Sequence, residues 1–391
     1  GAEAAGPYVK HTANPQRDFP RAIVTATLLV GALYVLGTVA VAFLLPVDSI
    51  NKATAVFDSF HALGALLGLQ PEFVARAFMT LLTLVSMLGY VIWMESPIRA
   101  MFADLYDFKQ FDDGLVRKDA ALFPAYTQTM IEEAKEQTLR TIVAHLAERG
   151  DYRDLFTTTE SFMTRRLGVI YQLPVASAGG WEPYLFPEDS GRAGILGHIS
   201  LNALHSHAGR SSATLRGKFV REVLLCQDVP TPPANIDFSI VEDTEGELRS
   251  ARDRLEAHVS NDACAGCHTL MDPIGLALEK YDAIGMSREQ ENGVPIDTSG
   301  ELDGTLYDDA VGLGVALSGH PNLGPCLVRN LYRYAVGRAS EPGEEQLLQT
   351  LGERFASSGY VVSDLLREIL LSEGFRTTSG PREAADTGGT P

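Results

Sequence analysis

The stretch Cys264-Ala-Gly-Cys-His-Thr-Leu-Met-Asp-Pro-Ile-Gly-Leu-Ala-Leu-Glu-Lys-Tyr-Asp-Ala-Ile-Gly285 decides how this 391-residue chain is read. Its first five residues set two thiols three positions apart, with an imidazole beside the second. Residues at that spacing share one turn, so both sulfurs can add to the two vinyl groups of one porphyrin. The adjacent histidine then stands under the iron as proximal ligand. C-x-x-C-H is thus the sequence form of a c-type haem attachment site. Cys264, Cys267 and His268 are the expected cofactor-binding residues for one covalent haem c, with His268 on the metal. A zinc site would need a second pair of ligands, and Cys226 and Cys326 are lone cysteines. A redox dithiol would need a surrounding βαβ pattern, which is missing.

Working outward, helical patterns dominate. Thr127–Arg149 reads as a helix, with Glu132 and Glu133 near Lys135 and Arg140. Asp151–Leu173 reads as more helix, with the cluster Thr157 to Glu160 as its capping point. Residues 174–193 are rich in Gly, Pro and aromatics and read as loop. Ser212–Cys226 is a helix stopped by Pro230, Pro232 and Pro233, and Leu248–Val259 is another that leads into the motif. Residues 285–306 carry the turn signals Asn292-Gly293 and Asp303-Gly304. Gly324–Gly337, Pro342–Phe355 and Ser363–Leu371 close the domain as helices, with Pro342 at a first helical position. Residues 377–391 read as a disordered tail.

The flanks of the motif resemble the cytochrome-like proteins of planctomycetes and myxobacteria, which are built of modules of unknown function. The matching blocks run in order: Arg216-Gly-Lys-Phe-Val-Arg-Glu-Val-Leu-Leu-Cys226 into Pro230-Thr-Pro-Pro233, the motif stretch with Arg288, Ile296 to Gly304, Cys326 to Arg338, and Leu371-Ser-Glu-Gly-Phe-Arg376. The resemblance covers about 106–377. It implies a bound haem and export more firmly than any reaction. The resembling proteins carry Ser-Pro where this chain has Ala213-Thr214, so the loop before that block aligns less well.

For the sixth haem ligand, Met271 lies too close to His268 to reach the opposite face and reads as packing. Met286 reaches only if the 282–288 turn folds over the ring. The histidines to weigh are His198, His205, His207 and His320. A Ser-His stretch precedes the Arg-Gly block in the resembling proteins, and Ser206-His207 matches it, so His207 is the expected second ligand. Arg288 pairs with a haem propionate or is a surface arginine. Cys226 and Cys326 form a disulfide if the domain is exported, or are two buried free thiols.

Up to residue 105 the chain carries 6 Lys+Arg against 7 Asp+Glu; beyond it, 26 against 43. So acidic a rear part argues against nucleic acid as partner and suits a basic redox partner protein, itself unidentified. The uncharged runs 22–45 and 77–94 read as two transmembrane helices, joined by an amphipathic stretch at the interface. The membrane is thus an expected partner through residues 22–94. Lys10, Arg17 and Arg21 before the first run, and Arg99, Lys109, Arg117 and Lys118 after the second, place both ends in the cytoplasm. Gly1 to Ile23 resembles the junction of the sixth and seventh helices of amino-acid permeases of the amino acid–polyamine–organocation superfamily. Glu95 to Asp104 resembles the end of their eighth helix. The spans that would build a transport site are not among these. Haem attachment belongs outside the cytoplasmic membrane, so the two parts want opposite sides. The chain reads as two unrelated partial sequences joined near 105; the alternative is a membrane-anchored cytochrome of inverted topology.

The expected fold is mainly α: two transmembrane helices plus a soluble all-α, cytochrome-c-like region. Its parts are a truncated permease-like segment (1–105), a helical domain (106–210), a haem domain (211–320), a helical cap (321–376) and the tail. The expected function is electron transfer by a c-type haem. A haem-dependent peroxidase or oxygenase and an amino-acid transporter fragment are the alternatives.

Overall fold

The computed structural model describes residues 54–230, 248–260 and 262–376, with scattered positions between 21 and 45. The chain divides into two compact units, 1–100 and 101–391.

In the first unit, α1 (Ala55–Leu66) turns back onto α2 (Pro71–Leu105). Pro71 opens α2, where a missing N–H is harmless. Phe60 stacks on Phe78 with ring centroids 3.6 Å apart.

The expected pair of transmembrane helices is overturned here. Among the described residues, no helix is long and apolar enough to cross a membrane. The run 77–94 is no element of its own: it lies inside the 35-residue α2, which begins with Glu72 and Arg76 and runs on past Glu95 and Arg99. Its last turns, from Met101 on, belong to the second unit, where Met101 and Phe102 are buried. The other expected crossing, 22–45, falls largely outside the described residues, as does the tail. The expected membrane partner loses its support with them.

The second unit is mainly helical. Its first long helix, α3 (Gln128–Ala147), is capped by Thr127, whose hydroxyl accepts from the Met130 N–H. A 3-10 turn at Tyr152–Phe156 follows, then β1 (Glu160–Met163), α4 (Arg165–Tyr171) and β2 (Glu182–Leu185). Next come α5 (Ile199–Leu204) and α6 (Ala213–Phe219), the latter capped by Ser212 and running into a π-helical turn, Val220–Leu224. The helix α7 (Ala251–Val259) opens on a Ser250/Asp253 capping box, and α8 (Asp262–Leu276) carries the motif. Four longer helices follow, α9 (Ala310–Ser318), α10 (Leu323–Val336), α11 (Glu345–Ser357) and α12 (Val362–Leu371), and a single helical turn, Glu373–Arg376, ends the described residues.

The all-α expectation needs one amendment: among the described residues there are three two-stranded antiparallel sheets. The segment 151–173 is not continuous helix. Glu160 pairs with Leu185 and Met163 with Glu182, and α3 supports the ladder through the Gln137 amide, which donates to the Phe162 carbonyl at 3.0 Å. That partner strand lies some twenty residues downstream, beyond what local propensity can register. The two turn signals close the other sheets, β3–β4 (Gln290–Glu291 with Val294–Pro295) and β5–β6 (Gly300–Leu302 with Thr305–Tyr307). Asn292, Gly293, Asp303 and Gly304 all have positive φ, the backbone that tight two-residue hairpin turns require.

The crossing of α6 and α8 positions the motif. A methyl at Gly275 would lie 1.7 Å from the Ala213 carbonyl oxygen, and one at Gly217 would lie 1.9 Å from that of Met271. Only glycine lets the two backbones touch. Arg216 is fully buried beside this crossing. It donates to the carbonyls of Leu278, Tyr281, Asp282 and Asn202 and to the Ser206 hydroxyl. Burial pulls its pKa down to about 10 against the opposing pull of Glu279, so it stays charged at neutral pH.

Candidate functional site

The motif occupies the first half of α8. Cys264 is buried and Cys267 half-buried, and both are free thiols. The Cys267 thiol reaches the Pro230 carbonyl at 3.4 Å. Between them, Gly266 faces open space: an added methyl would meet nothing within 4 Å. His268 is one turn on from Cys264. Its Nδ1 lies 2.8 Å from Oδ2 of Asp272, four residues later on the same face. Asp272 is buried, and its other oxygen accepts from the Thr214 hydroxyl of α6, also at 2.8 Å. A chain of contacts, Thr214–Asp272–His268, thus fixes one ring nitrogen. Nε2 makes no hydrogen bond to a described residue.

A residue the motif does not announce stands beside it. His258, buried near the end of α7, packs its ring edge-to-face on that of His268, with centroids 4.6 Å apart. The only sequence hint was that the 248–259 helix leads straight into the motif. Among the described residues, no three His, Cys, Asp or Glu side chains converge to hold a bare metal ion.

The other expected site residues lie in the scaffold. Arg288 donates to the Glu279 carbonyl and carboxylate and to the Ser211 hydroxyl; the structure does not bring it to the motif. His207 is exposed in the 206–211 turn, and its carbonyl accepts from Lys118. His198 is buried between Thr138 and Ser161, and burial, then Arg192, pushes its pKa down to about 3. His205 stacks on Phe219 at 4.4 Å and is likewise lowered to about 3, by burial, Arg216 and Lys118. His320 accepts the Asn322 N–H at Nδ1, so its Nε2 donates to Asp303. Met271 is buried at the α6 crossing, as packing. Met286 sits in a tight turn closed by Asp282, which accepts its N–H.

Cys226 and Cys326, a hundred residues apart, form a disulfide with Cα atoms 5.3 Å apart. It ties the end of the π-helical turn to α10. A separate cavity of about 320 Å³ opens between the end of α2 and α10, lined by Asp104, Asn330, Tyr334 and Arg338 among others; it includes none of the motif residues.

The fold and site define a mainly helical domain that presents two free thiols and a braced histidine on one helix face. Three families of proteins of unknown function match the second unit and the end of the first: DUF1592 over residues 86–173, DUF1588 over 192–291, which contains the motif, and DUF1585 over 303–375. These are the cytochrome-like modules that the sequence resembles, and they support a coarse redox role. The amino acid permease family matches residues 1–107. The aspartate/glutamate permease AcaP of Lactococcus lactis subsp. cremoris (strain MG1363) is 29% identical over 111 residues, 27% of this chain and 22% of that protein. The chain therefore spans about a fifth of the length of that curated relative. No solved structure matches. The permease and DUF1592 matches overlap over residues 86–107, all but the last two of which lie in the single helix α2.

Proposed function

We propose that Cys264, Cys267 and His268 attach one haem c covalently, and that the second unit is the electron-transfer module of an exported protein. The observation that carries this reading is the division of the four cysteines. Two are joined in a disulfide, while the motif pair stays free beside a histidine whose Nδ1 is already braced.

The residues fit the group. Each thiol would add across a vinyl double bond, forming an S–C bond while its hydrogen passes to the other vinyl carbon. Asp272 holds His268 in the tautomer with Nδ1 protonated, so Nε2 offers its lone pair to iron. The open space at Gly266 leaves room against that face. A bound haem supplies a reversible one-electron couple, and the protein holds it and tunes it. The disulfide supports an oxidising compartment, where such bonds persist. His207, exposed in its turn, is the candidate second residue that would hold the iron. The acidic second unit suits a basic redox partner. We read the chain as a permease fragment joined near residue 105 to these modules; continuous native sequencing reads across codons 90–120 would overturn that.

The test is the full chain carrying an export signal, matured in a host with haem-attachment machinery. A pyridine haemochrome assay and mass measurement should report one covalent haem. Cys264→Ala together with Cys267→Ala should abolish it. A colourless wild-type protein would end the proposal. A six-coordinate low-spin haem indifferent to carbon monoxide supports electron transfer, whereas a five-coordinate high-spin haem that binds it points to an enzyme.

A further inference from the structure

We infer that Asp272, steered by Thr214, is a positioning residue that lowers the reduction potential of the group held by His268; this rests on the haem attachment proposed above.

Three observations combine. First, Asp272 is only 4% exposed, yet among the described residues no lysine or arginine pairs with it; its partners there are the Thr214 hydroxyl and the His268 ring. Second, the Thr214 hydroxyl comes from α6, a different helix, and the α6–α8 crossing is set by the backbone contacts at Gly217 and Gly275. The carboxylate is therefore aimed by the fold rather than left to its own rotamers. Third, Pro273 follows directly. It lacks the N–H that would bond the Thr269 carbonyl, so Asp272 sits where the helix ladder is already interrupted.

A carboxylate on Nδ1–H makes the imidazole a stronger electron donor through Nε2. A stronger donor stabilises the more positive, ferric iron. Thr214 acts at one remove, by holding the carboxylate in line. An i,i+4 pair that served only to stabilise the helix would affect folding and leave the potential alone.

The experiment compares the wild-type full chain, Asp272→Asn and Thr214→Val, each matured with haem and assayed first for covalent haem, then by potentiometric titration and resonance Raman. Asp272→Asn keeps a hydrogen-bond acceptor but loses the charge. Its ferric–ferrous equilibrium should move at least about tenfold toward ferrous iron, about 59 mV for a one-electron couple, with a lower iron–histidine stretching frequency. Thr214→Val should shift the potential in the same direction by less. If Asp272→Asn carries haem at the wild-type potential, the inference is overturned while attachment stands. If Asp272→Asn does not mature, Thr214→Val decides, and no shift there overturns it. If the wild-type chain carries no haem, the attachment reading itself has failed.

Discussion

The two halves of α8 are built on different terms. From Ile274 to Leu276 the helix is locked: Ile274 is fully buried, and Gly275 touches the α6 backbone. Just before it, the Leu270 carbonyl accepts from Arg221 and the Pro273 carbonyl from Tyr307. From Cys264 to His268 the helix is spare. Its thiols are free, Gly266 meets nothing, and Thr269 bonds back to its own helix at the Ala265 carbonyl. Pro273 lies between, with one rung of the ladder missing. The difference teaches how a short helix can hold reactive groups in fixed positions although the turn that carries them makes few contacts of its own. One end is anchored by packing, and the other inherits its position.

Removing the anchor should have the largest effect. Arg216→Met deletes a set of buried donors and removes one of the two arginines that face the buried Glu279, leaving Arg288 and the Ser211 hydroxyl. Denaturant unfolding should show a loss of about 3–5 kcal/mol. A loss below about 1 kcal/mol would mean that the locked half does not depend on it.

Gly275→Ala should come next. Its methyl must force α6 and α8 apart, at a cost of about 1–3 kcal/mol. Thermal unfolding should show this, and a neutral result would break the comparison.

Acid should weaken the scaffold around α6 by a smaller amount. The folded pKa values of His198 and His205 lie near 3, below the ordinary 6.5, so the unfolded chain takes up protons first. Stability present above about pH 6.5 should therefore fall as the pH drops toward 3. His205→Phe keeps the stack on Phe219 and should flatten that slope, as followed by denaturation at several pH values.

The smallest effect belongs to the spare half. Gly266→Ala meets no atom within 4 Å, so it should stabilise the helix by about 0.5–1 kcal/mol and leave thiol reactivity unchanged. Destabilisation there would show that the open face is packed after all.

Much of the local structure was legible in the chain. Thr127 and Ser212 cap helices whose spans periodicity had outlined, Pro342 opens a helical turn, and both Gly-containing turn dipeptides close hairpins. What failed was non-local. The 151–173 segment was misread because its strand partner lies far along the chain, and the apolar run 77–94 was read alone although it belongs to a longer helix. Nothing near Asp272 in the chain points to Thr214, 58 residues earlier. His258 was overlooked because the contact between rings ten residues apart depends on how two helices meet.

By itself, the order of residues determined the chemistry available at Cys264–His268, the caps and the turns, because those depend on atoms within a few bonds of one another. Only the tertiary structure decided that Cys226 joins Cys326 rather than remaining a thiol, that Arg216 and Glu279 are buried together, and that Asp272 is aimed at His268. Such contacts link segments tens of residues apart, and their energies are realised only once the backbones have crossed closely enough for glycine alone to fit.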